Sequence, residues 1–123
     1  MSAAKSGAKH EREKVLHLDS LTFDIEKSQV SRKGTAPHHL TPIERRLLAL
    51  FMHHPGRVFS HAFLMREVWG TDYLDDTRTL DVHICWLRRK IEPDPHHPIH
   101  LITVRGLGYY FNGFAPEDPA HHP

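Results

Sequence analysis

The sequence predicts an α+β fold: a small N-terminal antiparallel sheet, three helices and a C-terminal β-hairpin. Three observations carry this expectation. Apolar and polar residues alternate between about residues 15 and 40, the apolar period becomes helical from Thr41 to Ile91, and β-type runs return around glycine in LITVRGLGYYF. A length of 123 residues, with 39% hydrophobic and 25% charged residues, fits one globular domain of ordinary size.

The opening MSAAKSGAKHEREK is small, polar and charged without periodicity, so residues 1–14 read as a linker or disordered N-terminus. VLHLDSLTFD, SQVSRKG and TAPHHL then follow as short strands separated by turn formers. In LTPIERRLLALFMHHPG, Thr41 is a natural N-cap, Pro42 suits the first helical position and Glu44 completes a capping box. Leu47, Leu48, Leu50 and Phe51 supply the buried stripe of this first helix. Pro55 ends it, because proline disfavours helical geometry at His54.

The second helix is expected after Ser60 as N-cap, through HAFLMREVW to Gly70, a residue suited to a left-handed stop. GTDYLDDT is an acidic loop, and a third helix runs from about Arg78 to Ile91 before EPDPHHP breaks it. LITVRGLGYYF reads as a hairpin, and residues 112–123 as a flexible tail. The domain proper is therefore residues 15–111.

Composition narrows the function classes. The lone Cys85 excludes an internal disulfide, and the chain carries neither an N-terminal apolar signal segment nor a run long enough to cross a bilayer, as expected of a soluble protein of a reducing cytosol. A net charge of +1 does not by itself announce a nucleic-acid binder. The distribution is more telling. Residues 77–111 carry five Lys and Arg against three Asp and Glu, and four of the five lie between Arg78 and Lys90.

At about 100° per residue, Leu80, Ile84, Leu87 and Ile91 fall within roughly 60° of one another and form a core-facing stripe on the third helix. Arg78, Val82, Cys85 and Arg89 then occupy the opposite face, with Trp86 beside them. Basic amphipathic helices are usually solvated surface, but a face made only for water would not carry Val, Cys and Trp. A partner both anionic and partly apolar is implied. The DNA major groove fits, with phosphates on its walls, thymine methyls within and a width of about 12 Å. In the hairpin, Arg105 stands beside Gly106 and Gly108, residues that permit tight positive-φ geometry, so an arginine is held at the tip in a form suited to a minor groove.

The run LTPIERRLLALFMHHPGRVFSHAFLMREVWG, followed by DDTRTLDVHICWLRRKIEPDPHHP and TVRGLGYYF, resembles the DNA-binding effector domain of OmpR/PhoB-type response regulators over about residues 15 to 111. The resemblance implies a winged helix-turn-helix: an N-terminal antiparallel sheet, three helices of which the third is the recognition helix, and a C-terminal hairpin as wing. It implies sequence-specific binding of double-stranded DNA in a two-component system, with Arg78, Thr79, Val82, His83, Arg88 and Arg89 at recognition-helix positions, Trp69 on the DNA backbone and Arg105 in the minor groove. Cys85 and Trp86 stand where better-known members carry two arginines, which points to apolar contact with thymine methyls or sugar edges at that place. Further partners implied are a receiver domain absent from this chain, a second copy in tandem on DNA, and RNA polymerase at the acidic loop through Asp72, Tyr73, Asp75 and Asp76. The linker-like start favours the effector half of a longer regulator over a stand-alone binder, and nothing implies a membrane tie.

Other chemistry finds little support. The thirteen histidines include the pairs His38 and His39, His53 and His54, His96 and His97, and His121 and His122. Adjacent loop histidines do not converge as helical i, i+4 ligands do, so no metal or other cofactor is expected. Catalysis by a Cys/His pair is not expected either, since His83 lies roughly 160° from Cys85 around the helix. The competing class is a protein-interaction module built on the acidic loop, which a salt titration of DNA affinity separates from phosphate binding.

Overall fold

Alternating burial builds the first layer. In a computed structural model describing residues 14–18, 20–70 and 78–113, strands β1 (Val15–Leu18), β2 (Leu21–Asp24), β3 (Gln29–Arg32) and β4 (His38–His39) form an antiparallel sheet in sequential order. Leu21, Phe23 and Val30 point from it into the core, while the intervening residues are only half-buried.

Helix α1 (Pro42–His53) starts with the expected reciprocal cap: Glu44 N–H donates to Thr41 Oγ1 at 3.2 Å and Thr41 N–H to Glu44 Oε1 at 2.8 Å. Leu47, Leu48 and Phe51 are fully buried, whereas Leu50 is half-buried and lines a groove beside the next helix. A two-residue strand, β5 (Phe59–Ser60), leads into helix α2 (His61–Leu64), capped by Ser60 and continued by a π-helical turn over Met65–Trp69. The residue pattern does not betray this widening, because Leu64, Met65 and Val68 face inward in either geometry. Gly70 closes the turn at φ 72°, as its place after Trp69 predicts.

Helix α3 (Arg78–Ile91) packs against α1 and β3, and the hairpin β6 (Leu101–Val104) and β7 (Gly108–Phe111) closes the fold. β5 adds to β7 through Phe59 opposite Tyr109 and Ser60 opposite Gly108, giving a second sheet in the order β5-β7-β6. One hydrophobic cluster runs from Phe23 through Phe51, Leu64 and Leu87 to Phe111. Each such leucine contributes about 1.5–3 kcal/mol relative to exposure.

Candidate nucleic-acid interface

The back of α3 fixes its front. Leu80, Ile84, Leu87 and Ile91 are all buried, and Arg78, Thr79, Val82, Cys85, Trp86 and Arg89 are all exposed, Val82 to 41% and Trp86 to 43%. The exposed face therefore carries two cations around three apolar or weakly polar groups, with the free thiol of Cys85 among them. Near its N-terminal end lies an open hollow of about 420 Å³ lined by Arg78, Thr79, Val82 and His83.

The basic run from Arg78 to Lys90 does not all reach this face. Arg88 Nε and Nη2 donate to the carbonyl of Leu101 at 3.0 and 2.7 Å, and Nη2 also to Thr103 Oγ1 at 2.8 Å. Lys90 Nζ lies 2.6 Å from the buried carboxylate of Glu44 and donates to the carbonyl of His39 at 2.7 Å. Helical phase explains both: each residue stands roughly 80° to one side of the buried stripe, where a long side chain reaches neighbouring protein. The structure thus turns Arg88, a predicted site residue, toward the hairpin, and leaves Arg89 on the exposed face.

Trp69, expected on the same surface, is brought there by the π-helical turn of α2. Its ring centroid lies 5.2 Å from that of His83, which in turn lies 5.0 Å from that of Trp86. His83 Nδ1 is 2.7 Å from the carbonyl oxygen of Thr79. A carbonyl only accepts, so Nδ1 carries the hydrogen of this bond. The resulting row of three rings joins α2 to α3.

At the hairpin tip Arg105 is exposed, in a three-residue loop closed by Leu107 N–H to the Val104 carbonyl at 2.9 Å. Gly106 takes φ 78° there, the left-handed geometry expected of it. Gly108 serves another purpose than the expected one: a Cβ at this position would meet the Phe59 carbonyl oxygen at 1.9 Å, so its bare backbone admits β5.

Two ties hold the hairpin to α3. Arg88 supplies one. Tyr109 supplies the other, its hydroxyl donating to Asp81 Oδ1 at 2.5 Å. Burial, then the Asp81 hydrogen bond, push the Tyr109 phenol above its ordinary range, so it stays a neutral donor. At the hairpin's base Glu92, 2% exposed, accepts backbone N–H groups of Ile99, His100 and Leu101 at 2.8 to 3.1 Å. Sequence reading passed over Glu92 and Asp81. Their partners lie on other segments, and only a carboxylate just beyond a helix end, where free N–H groups of a returning strand need acceptors, hinted at Glu92.

Asp72, Tyr73, Asp75 and Asp76 of the acidic segment lie outside the described residues. Among the described residues no cluster of three or more His, Cys, Asp or Glu could hold a metal ion, and no helix is long and apolar enough to cross a membrane.

Comparison with known proteins agrees with this arrangement. Residues 35–111, more than half of the chain, match the family described as "Transcriptional regulatory protein, C terminal". The chain is 48% identical over 99 residues to the sensory transduction protein RegX3 of Mycolicibacterium smegmatis, covering 80% of this chain and 43% of that protein. It spans less than half the length of the curated relatives it matches. Its structure is similar to the Klebsiella pneumoniae RstA DNA-binding domain, crystallised in complex with the RstA box, with a TM-score of 0.73 and 29% identity over 82% of this chain and 99% of that one. It is similar also to the Thermotoga maritima response regulator DrrB, an OmpR/PhoB homologue, with a TM-score of 0.74 and 28% identity over 89% of this chain and 50% of that one. The chain belongs to the transcriptional regulatory protein C-terminal family, the winged helix-turn-helix domains of OmpR/PhoB-type response regulators, a family of transcription regulators rather than of enzymes.

Proposed function

We propose that residues 15–111 bind double-stranded DNA in a sequence-specific manner as the effector domain of a two-component regulator, with α3 in the major groove and Arg105 of the wing in the minor groove. The observation that carries this reading is the exposed face of α3, where Arg78 and Arg89 frame Val82, Cys85 and Trp86. Such a face suits a groove with anionic walls and thymine methyls inside it. Trp69, Thr79 and His83 flank that face and serve the adjoining backbone. Arg88 acts through the wing, whose position relative to α3 it helps to set. That the similar RstA domain was crystallised with its DNA box supports the reading.

Partners follow from the family. A receiver domain outside these residues regulates the domain, two copies bind in tandem on repeated half-sites, and the acidic segment around Asp72, Tyr73, Asp75 and Asp76 faces RNA polymerase. Such a regulator works in the cytoplasm. Selection from a random duplex library tests the reading: it should return one motif in direct repeat, and affinity for it should fall linearly with log salt. Selection of no motif, with affinity indifferent to salt, would favour a protein-binding module.

A further inference from the structure

We propose that Asp81 and Tyr109 are positioning residues that fix the wing tip relative to α3 and so set the spacing at which the domain prefers an A·T-rich minor groove beside its major-groove motif; this rests on the reading of α3 and Arg105 given above. A carboxylate on a helix that approaches phosphates meets repulsion, so its presence there calls for another use. Asp81 lies in the first turn of α3, and its side chain, half exposed, accepts the hydrogen bond of the Tyr109 hydroxyl at 2.5 Å. Tyr109 itself is buried in the hairpin. Asp81 thus supplies the tie to β7, the strand that runs back from the tip.

The place of attachment gives this tie its leverage. Tyr109 stands opposite Thr103, and Thr103 Oγ1 takes a hydrogen bond from Arg88 Nη2 at 2.8 Å. One rung of the hairpin is thereby held on both strands, and the pair Val104 and Gly108 separates it from the loop that carries Arg105. Arg105 lies two residues beyond Thr103, about 7 Å of strand. On α3, Asp81 and Arg88 are seven residues apart, so they point to one side within about 20° and lie about 10 Å apart along the axis. A hairpin held at one point can pivot, whereas two points so far apart fix its tilt. The Arg88 guanidinium carbon is 5.7 Å from the centre of the Tyr109 ring, so the two ties meet at the rung. His61 of α2 closes the junction, its ring 5.4 Å from that of Tyr109 and its Nε2 3.7 Å from Asp81 Oδ1. A displacement of about 3.4 Å at the tip would carry Arg105 past one base pair.

The test uses the whole chain and a duplex recovered by random selection, remade with its A·T-rich flank in place, displaced by one or two base pairs, or replaced by G·C pairs. Affinity for each duplex is measured for wild type, Tyr109→Phe, Asp81→Ala, Asp81→Asn, Arg105→Ala and the combination of Tyr109→Phe with Arg105→Ala. Melting temperatures check folding. Phenylalanine keeps the buried ring and removes the donor. Asparagine keeps an acceptor oxygen for Tyr109, whereas alanine keeps none. Either change at Asp81 removes a negative charge and raises affinity for every duplex alike, so the ratio between flank positions is the readout. Asp81 is half exposed, and its variants decide the matter where Tyr109→Phe folds poorly.

Wild type and Asp81→Asn should prefer the undisplaced flank over the displaced ones by about tenfold, and Tyr109→Phe and Asp81→Ala should bring that preference to within about threefold. In the Arg105→Ala background, Tyr109→Phe should change the ratio no further, because Arg105 is the group that the tie positions. A role in stability alone would lower the melting temperature and leave the ratio as in wild type. Full retention of the flank preference by Tyr109→Phe and Asp81→Ala would therefore overturn the assignment. So would an effect of Tyr109→Phe on the ratio that persists without Arg105. Equal flank ratios in wild type and Arg105→Ala would instead overturn the reading of the wing itself, and this inference with it.

Discussion

Arg88 on α3 and Leu101 on β6 are joined by two hydrogen bonds, from Nε and Nη2 of the guanidinium to one carbonyl oxygen, at 3.0 and 2.7 Å. With the Tyr109–Asp81 bond they make α3 and the wing a single body. Arg88, expected at a DNA-contacting position, therefore also ties α3 to the hairpin. Neighbouring Arg89 is instead exposed on the outer face.

The two arginines should separate in experiment. Arg88→Ala removes a charge-assisted interaction and should lower stability by about 1.5–3 kcal/mol, weakening DNA binding through a misplaced wing. Arg89→Ala should leave stability within about 0.5 kcal/mol and reduce the salt slope of binding by up to about 0.9. Denaturant unfolding and salt titration, run on both variants, check the contrast.

Glu92→Gln should be among the most destabilising single-atom changes in the domain. It replaces one of two acceptor oxygens with an NH2 group facing the backbone N–H groups of residues 99–101. The expected loss is about 2–5 kcal/mol, read as a lower denaturation midpoint at unchanged slope. A variant as stable as the parent would mean that this carboxylate is not what anchors the start of β6.

The sequence made the fold legible wherever a period or a cap repeats a local rule. The Leu80, Ile84, Leu87, Ile91 stripe and the Thr41–Glu44 box depend on residues within a few positions of one another, and both are present as expected. The exposed face of α3 was legible, but not the contacts that its side chains make. Counting cations from Arg78 to Lys90 could not tell Arg89 from Arg88 and Lys90, whose partners lie 13 and 46 residues away. β5 is two residues long, too short to alternate, and the meeting of Trp69 with His83 depends on how α2 crosses α3. Gly108 illustrates the same limit: the residue was noticed, but its purpose depends on a strand about fifty positions earlier.

Arg105→Ala should weaken binding chiefly at sites where an A·T-rich, narrow minor groove adjoins the major-groove contacts, with melting temperature almost unchanged. The side chain is exposed at the loop tip, so its loss disturbs no packing. Competition between A·T-rich and G·C-rich flanks measures the effect. Equal binding of both flanks by variant and parent would end the assignment of this hairpin as a minor-groove wing.

Trp86 is 43% exposed and uncharged, so its two substitutions should move different quantities. Trp86→Ala should reduce specific affinity by roughly 1 to 3 kcal/mol with little change in salt slope, because apolar contact is lost and no charge. Trp86→Arg should change the base preferred at one or two positions and raise non-specific affinity, steepening the salt slope by up to about 0.9. Paired library selections on parent and Trp86→Arg reveal whether this side chain takes part in choosing the sequence.

The central claim, that the outer face of α3 meets the DNA groove, is tested most directly at Cys85. It is the chain's single cysteine, free and exposed at the middle of that face, so a thiol reagent reports on one place alone. The measurement is the rate of Cys85 labelling with and without saturating specific duplex. The account predicts that bound duplex protects Cys85 and that prior labelling with a bulky reagent blocks binding. Labelling at the same rate in both conditions, with the labelled protein still binding the duplex, would show that this face does not enter the groove.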